Sequence, residues 1–374
     1  MVFAANTVYT VSYNSESHFQ VLTQLWGSKW PQVLPFCLGN VALMLVLTFM
    51  DTHYGEAYIE MTPQGHTFIA VVVSFLLISR VNTALGRYNQ ARTHLANMCR
   101  ETRQLVQYAF VYTADREDDK AKEWRAELSY RALILLRAAM FVIDYPTTGR
   151  LASDIPGLEE TEIMYLKQAR NRNTKGRSSR KINLSPRVIE MLDEAEKNMR
   201  VPIQISYLLK KTIHSQGKKL QKPMEYVLEN KLMASVDGFL SGYYGMRQFM
   251  TTPVPFPLVQ MSRTFLFAYV FTIPFAMVGD RSSVLAHCFV VFLLTFGFVG
   301  LELVAIEMDN PFGEDDNDFN NGALAEVACE DTYMTVADVD GAEWANKLRR
   351  RMYDPKSKTQ SPPDEQSRLL VEDV

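Results

Sequence analysis

The sequence predicts an all-α integral membrane protein with four transmembrane helices and a large cytoplasmic helical region. Three observations carry that expectation. Four stretches of 16 to 20 residues hold no formal charge, and a helix crossing the hydrocarbon core needs about 20 predominantly apolar residues. Lys and Arg follow the second stretch but are missing from the loop before it, the asymmetry that orients a chain in a membrane. The polar residues after the second stretch repeat apolar side chains at intervals of three and four, with no Pro or Gly between Arg87 and Tyr145. Composition agrees. The 374 residues are 47% hydrophobic and 22% charged, with 39 Lys plus Arg against 42 Asp plus Glu and a formal net charge of -3. These figures exclude a disordered tail protein, a collagen and a basic nucleic-acid binder.

In chain order, residues 1–30 read as an N-terminal cytoplasmic segment. Met1 to Glu16 carries neither a basic n-region with an apolar h-region nor the Arg- and Ser-rich bias of a transit peptide, so insertion is expected to use internal segments. Residues 31–98 hold two spans. Pro31 to Met50 is uncharged around the run Val41 to Leu47, and Met61 to Ser79 has the apolar core Phe68 to Ile78, with Arg80 directly after it. The loop between them offers Asp51, Glu56 and Glu60, whereas Arg87, Arg92, Arg100 and Arg103 follow the second span, so both termini are expected inside.

Residues 99–258 read as the cytoplasmic helical region. Leu95, Met98, Thr102, Leu105 and Ala109 predict one helix over Gln90 to Leu136. A second helix is expected from Ser185 to His214, with Pro186 in its first turn and Ile189, Leu192, Ala195, Met199 and Ile203 on one face. Between them, Lys167 to Lys181 holds seven basic residues and no acid; it reads as a solvated loop or as a contact for anionic lipid or a phosphate-bearing partner. Residues 259–308 hold the last two spans, Thr264 to Gly279, interrupted by Pro274, and Ser282 to Leu301, joined by a tight outer turn at Asp280 and Arg281. Residues 309–353 carry an acidic motif and a C-terminal segment. The polar residues 354–374 read as a disordered tail.

No catalytic constellation appears, and no enzyme is expected. Cys37, Cys99, Cys288 and Cys329 lie far apart without a CxxC pair, which indicates neither a disulfide framework nor a zinc site. The six histidines show no HExxH spacing, and no GxSxG, P-loop or dinucleotide fingerprint is present.

Two constellations carry chemistry instead. Val71, Phe75 and Ser79, spaced at four, share one helical face, and Ser74, Asn82, Thr83, Gly86 and Asn89 make the second span unusually polar as it continues. Arg80 and Arg87 are costly in hydrocarbon; either they are ion-paired at the end of an ordinary span, or the helix lines an aqueous path. The second constellation is Glu307 to Asn321 (EMDNPFGEDDNDFNN). Glu314, Asp315, Asp316 and Asp318, with carbonyls freed at Pro311 and Gly313, supply the hard oxygen ligands that Ca²⁺ prefers. It is no EF-hand, because counting from Asp316 the sixth position is Asn321 and the twelfth is Val327. A solvated acidic turn is the alternative.

The runs Phe75 to Arg92 (FLLISRVNTALGRYNQAR), Thr252 to Val278 and above all Asn310 to Phe319 (NPFGEDDNDF) resemble the bestrophins, pentameric anion channels. The resemblance extends from near Ser12 to about Phe319. It implies a homopentamer in which the second span of each subunit surrounds one central pore, with neck rings at Val71, Phe75 and Ser79. The animal proteins have three bulky apolar rings there; Ser79 would leave the inner ring wider and wetter, so dewetting would rest on Val71 and Phe75.

The resemblance further implies a calcium clasp. Asp315 and Asp318 would bind through side chains and Glu307 and Asn310 through carbonyls, with Glu314 and Asp316 adding negative field. One more carbonyl would come from a neighbouring subunit's N-terminus, at a residue the sequence does not place. Asn317 replaces an acid of the animal run. The implied function is conduction of chloride, with bicarbonate as a further permeant ion, regulated by calcium. The plasma membrane is the default location. A constitutive conduit of an internal membrane such as the thylakoid is an alternative, and a membrane scaffold without transport is an alternative of another class. A membrane prenyltransferase would need two Asp-rich motifs and more spans than these four.

Overall fold

The computed structural model describes residues 11, 16–54, 63–171, 193–278, 283–313 and 315–353. Among them every regular element is helical: α1 (His18–Thr23), α2 (Trp30–Tyr54), α3 (Pro63–Tyr112), α4 (Asp119–Ile143), α5 (Glu160–Asn171), α6 (Val201–His214), α7 (Tyr226–Thr251), α8 (Phe256–Met277), α9 (Val284–Asp309), α10 (Asn321–Asp340) and α11 (Ala342–Tyr353), with single helical turns between some of them. Four are long and apolar enough to cross a membrane, α2, α3, α8 and α9, matching the four expected spans. The basic run beyond Asn171, the turn at Asp280 and Arg281, the tail after Tyr353 and the supporting acid Glu314 lie outside the described residues.

The chain forms two compact units. The membrane unit comprises Thr7–His94 and Gly245–Asn320, and the polar unit comprises Met1–Asn6, Leu95–Tyr244 and Asn321–Val374.

In the membrane unit, Val33, Cys37 and Met44 of α2, Val73 and Leu77 of α3, Leu266, Tyr269, Val270 and Ile273 of α8, and Val291 and Val299 of α9 form one apolar core. Pro274 lies inside α8 without ending it. Its missing N–H deprives the Val270 carbonyl of a helical donor, and the fully buried Asn40 side chain supplies the replacement, donating to Val270 O at 2.9 Å and to Thr295 Oγ1 at 2.8 Å. Leaving a buried carbonyl unmatched costs about 1–3 kcal/mol, so Asn40 is what makes the proline tolerable. His66 stacks on Tyr269 and its Nε2 sits 3.1 Å from Thr272 Oγ1, a packed histidine.

In the polar unit α4 is the central helix, burying Trp124, Leu128, Leu133, Leu135, Leu136 and Met140 against α6, α10 and α11. The expected single helix over Gln90 to Leu136 is corrected: α3 ends at Tyr112 and α4 begins at Asp119. No Pro or Gly is needed, because the Arg125 guanidinium donates to Thr113 O at 2.8 Å and Arg116 O at 3.1 Å. These bonds satisfy carbonyls at the turn, while Asp118 and Asp119 place negative charge at the start of α4.

The expected helix from Ser185 to His214 is corrected as well. Its first part, with Pro186, Ile189 and Leu192, lies outside the described residues. The chain then turns at Met199–Arg200, and α6 restarts with Pro202 in its first turn, where a missing N–H does no harm. The restart shifts the helical phase, so Val201, Ile205, Leu209 and Ile213 form the buried face, and the expected Ala195, Met199 and Ile203 are only half-buried.

Candidate functional site

α3 is 50 residues long, about 75 Å at the helical rise, so it far exceeds a hydrocarbon core of about 30 Å. Within the membrane unit it has two unlike faces. Val73, Leu77, Arg80, Ala84 and Ala91 are buried, and three- and four-residue steps place them on one side. On the other side Val71 is 67% and Phe75 72% exposed, Ser79 is half-buried, and Asn82, Gly86 and Asn89 continue the open stripe toward the end of this part of the helix. The stripe thus passes from apolar to polar along its length.

The two arginines do not belong to that stripe. Arg80 is buried and grips Asp309 with both terminal nitrogens, Nη1 to Oδ1 at 3.0 Å and Nη2 to Oδ2. Its Nε stands 3.8 Å from Glu302 Oε1, which accepts from Arg263 Nε at 2.8 Å. Arg87 donates to Thr252 O at 2.9 Å and Phe249 O at 3.3 Å, with its guanidinium 4.5 Å from the Phe249 ring centre. Arg80 is thus ion-paired on the buried face of α3. Both arginines are held by protein through their terminal nitrogens, while the buried Nε of each has no hydrogen-bond partner.

The acidic motif starts where α9 stops. Pro311 has no N–H, so the Glu307 carbonyl loses its helical donor, and Asn310 breaks the helix with φ −131 and ψ 82. Phe312 is buried and packs edge-on against Phe249 at 5.7 Å and against Phe319 at 5.6 Å, and Tyr88 covers Phe319 at 4.6 Å. These rings pin both ends of the loop. Phe319 N–H donates to Pro311 O at 3.0 Å and closes it.

Asp318 is turned inward. It is 2% exposed, its Oδ2 accepts from the Asp315 N–H at 2.9 Å, and its buried Oδ1 has no hydrogen-bond partner. Burial pushes its carboxyl up to about 6, helped by the nearby charges of Asp315 and Glu307 and opposed by backbone N–H groups of Asp315 and Gly313. Asp315 and Asp316 are exposed, as is Asn310. The Glu307 side chain pairs with Lys29 and accepts from Asn317 Nδ2 at 3.0 Å, and the same amide donates to Gly27 O at 3.0 Å. The segment before α2 is thereby tied to the motif within one chain.

Among the described residues no three His, Cys, Asp or Glu side chains converge as a metal site would require of side chains alone. Calcium takes six to eight oxygens and accepts carbonyls and carboxylates alike. The unmatched Asp318 oxygen, the carbonyl freed at Glu307 and the carboxylate of the exposed Asp315 are oxygens of the kind a hard cation takes. Sequence reasoning missed the aromatic pins, the Lys29–Glu307 pair and the Arg80–Asp309 pair. The only signal for them was the density of Phe and the reversed charges around the motif.

A family model described as bacterial and fungal bestrophin protein matches residues 10–332. The voltage-dependent anion channel-forming protein of Synechocystis is 22% identical over 299 residues, which cover 80% of this chain and 85% of that protein. Among solved structures, two point variants of a bacterial bestrophin homologue from Klebsiella pneumoniae superpose with a TM-score of 0.64 each. One is 17% identical and covers 82% of this chain and 99% of its own; the other is 16% identical and covers 83% and 98%. The four membrane-length helices, the exposed stripe of α3 and the acidic motif in their order all fall inside the matched range, and the chain belongs to the bestrophin family, in its bacterial and fungal branch.

Proposed function

We propose that the protein is an anion channel in which α3 from each subunit of a homopentamer lines one central pore. The observation that carries this reading is the stripe Val71, Phe75, Ser79, Asn82, Gly86 and Asn89. It stays open along a membrane-length helix whose opposite face is buried, and it grows polar where a lipid-facing helix would stay apolar. The name of the Synechocystis relative points the same way.

Passage needs a path that attracts without trapping. Phe75 would offer positive ring edges to an anion, and Val71 would narrow the same neck. Ser79 would leave its inner end wetter. The charges of Arg80 and Arg87 are engaged by protein, so neither would be a bare cation that traps an ion. Chloride is the expected permeant ion and bicarbonate a further one.

Calcium is the proposed regulator. The side chains of Asp315 and Asp318 and the carbonyls of Glu307 and Asn310 would hold it, with Asp316 and Glu314 adding negative field. When bound, it supplies a divalent charge that draws these oxygens together. It opens the channel only to the extent that it binds the open state better than the closed one.

The test is current through the purified full chain in a planar bilayer, under a KCl gradient, as free calcium is stepped from nanomolar to micromolar. A reversal potential near that of chloride, with current rising with calcium, is expected. Anion current indifferent to calcium would leave a constitutive conduit, and no current at all would return the protein to the scaffold reading.

A further inference from the structure

Ser79 and Arg80 are consecutive, yet one lies on the open stripe of α3 and the other on its buried face. Arg80 is 1% exposed. Its fork closes on Asp309, the last residue of α9, and the next residue, Asn310, begins the acidic motif. A bidentate guanidinium–carboxylate contact fixes orientation as well as distance. The neck-bearing helix and the entrance to the motif are thus joined by one ion pair, across 229 positions of sequence.

The surroundings of that pair give it somewhere to go. Glu302 is 3% exposed and sits two turns before Asp309 on the same helix. It already holds Arg263 through Oε1 and stands 3.8 Å from Arg80 Nε, just beyond hydrogen-bonding range. Arg80 Nε and Glu302 Oε2 are both buried without a hydrogen-bond partner. An ion pair one small step from closing therefore waits beside one that is closed. The four groups, two arginines and two carboxylates, are balanced in charge in either arrangement, so a shift of Arg80 from Asp309 toward Glu302 would strand no buried charge. Packed elements with two discrete arrangements are what carry coupling between sites.

We infer that the Arg80–Asp309 pair relays the state of the acidic motif to the pore neck, with Glu302 as the alternative partner that Arg80 takes when the relay shifts. Movement of Asn310 on cation binding displaces Asp309, Asp309 displaces Arg80, and Ser79 and Phe75 move with the helix that bears them. Arg80 and Asp309 are positioning residues; neither touches the ion path nor is a proposed ligand of the metal. This inference rests on the calcium-regulated reading above.

The experiment compares wild type with Asp309→Asn, which keeps shape but loses the charge of the fork. Terbium luminescence, with Tb³⁺ as the calcium surrogate and calcium as competitor, reads binding on the purified full chain; bilayer current reads gating. Wild type is expected to gain about fivefold or more current between nanomolar and micromolar calcium, in the range typical of coupled sites. The variant is expected to bind within about threefold of wild type while its current ratio falls to about one, because coupling and binding are separate quantities. Arg80→Lys, which keeps the buried charge without the fork, is read in the same way and decides the matter if Asp309→Asn does not assemble.

Retained calcium dependence in the variants beside a responsive wild type overturns the relay alone. Loss of binding together with gating also overturns it, since the pair would then merely build the cation site. A wild type whose anion current ignores calcium removes the regulatory reading and the relay with it.

Discussion

Arg125 in the polar unit and Arg80 in the membrane unit are each 1% exposed, and their surroundings differ. Arg125 has every terminal nitrogen in use. Nε and Nη2 meet the two oxygens of Asp340, itself buried, and Nη1 meets Thr113 O, Thr113 Oγ1 and Arg116 O. Arg80 also grips a carboxylate with its fork, but its Nε and the nearby Glu302 Oε2 find no hydrogen bond. A complete buried network has one good arrangement and acts as a lock. An incomplete one has a second arrangement close in energy and is suited to change. The lock sits at the corner that ends α3, and the incomplete network sits beside the proposed neck.

The comparison can be broken by substitution. Asp340→Ala strands the Arg125 charge, and removing one partner of a buried pair costs about 3–5 kcal/mol, so a marked fall in melting temperature of the purified protein is expected. Asp309→Ala should cost clearly less, because Glu302 is at hand; equal losses would end the distinction between lock and relay. Asn40→Leu probes a buried polar contact of the membrane unit. It leaves the Val270 carbonyl unmatched above Pro274, with an expected loss of about 1–3 kcal/mol, read by the same melt.

The motif end of the relay responds to pH. The Asp318 carboxyl lies at about 6 in the folded chain, above its ordinary value of 3.8. The sign follows: this group's contribution to stability without metal is fully present below that ordinary value and is lost as pH rises through about 6. A cation needs the carboxylate instead, so calcium affinity should fall about tenfold per pH unit below about 6, measurable by calorimetry between pH 5 and 7. The smallest expected effect is at the proposed neck. Phe75→Ala removes the exposed ring from the stripe and should raise current without calcium a few-fold; an unchanged current would place the constriction elsewhere.

Much of this architecture is legible in the sequence, because a charge-free run near 20 residues is the length a bilayer demands and longer than a soluble core helix usually keeps. The acidic motif is legible because its residue types are specific. What is not legible comes from distant partners. The end of α3 at Tyr112 depends on Arg125 reaching back to Thr113, and local propensity alone continues the helix. The phase of α6 depends on a turn at Met199–Arg200 whose one local mark is Pro202. Asp318 and Asp316 look equivalent as letters, yet only Asp318 is buried, because the ring of Phe319 beside it is drawn in against Phe312 and Tyr88. Arg80 could be expected to find a partner, but not to find Asp309.

The central claim is that the open face of α3 is the ion path. Cysteine substitution at Phe75 and at Leu77, two positions on and buried, tests it most directly, in a Cys288→Ser background because the other native cysteines are buried. A charged thiol reagent added during bilayer recording should cut anion current through Phe75→Cys and leave Leu77→Cys unaffected. Block at Leu77→Cys with an inert Phe75→Cys would contradict the account.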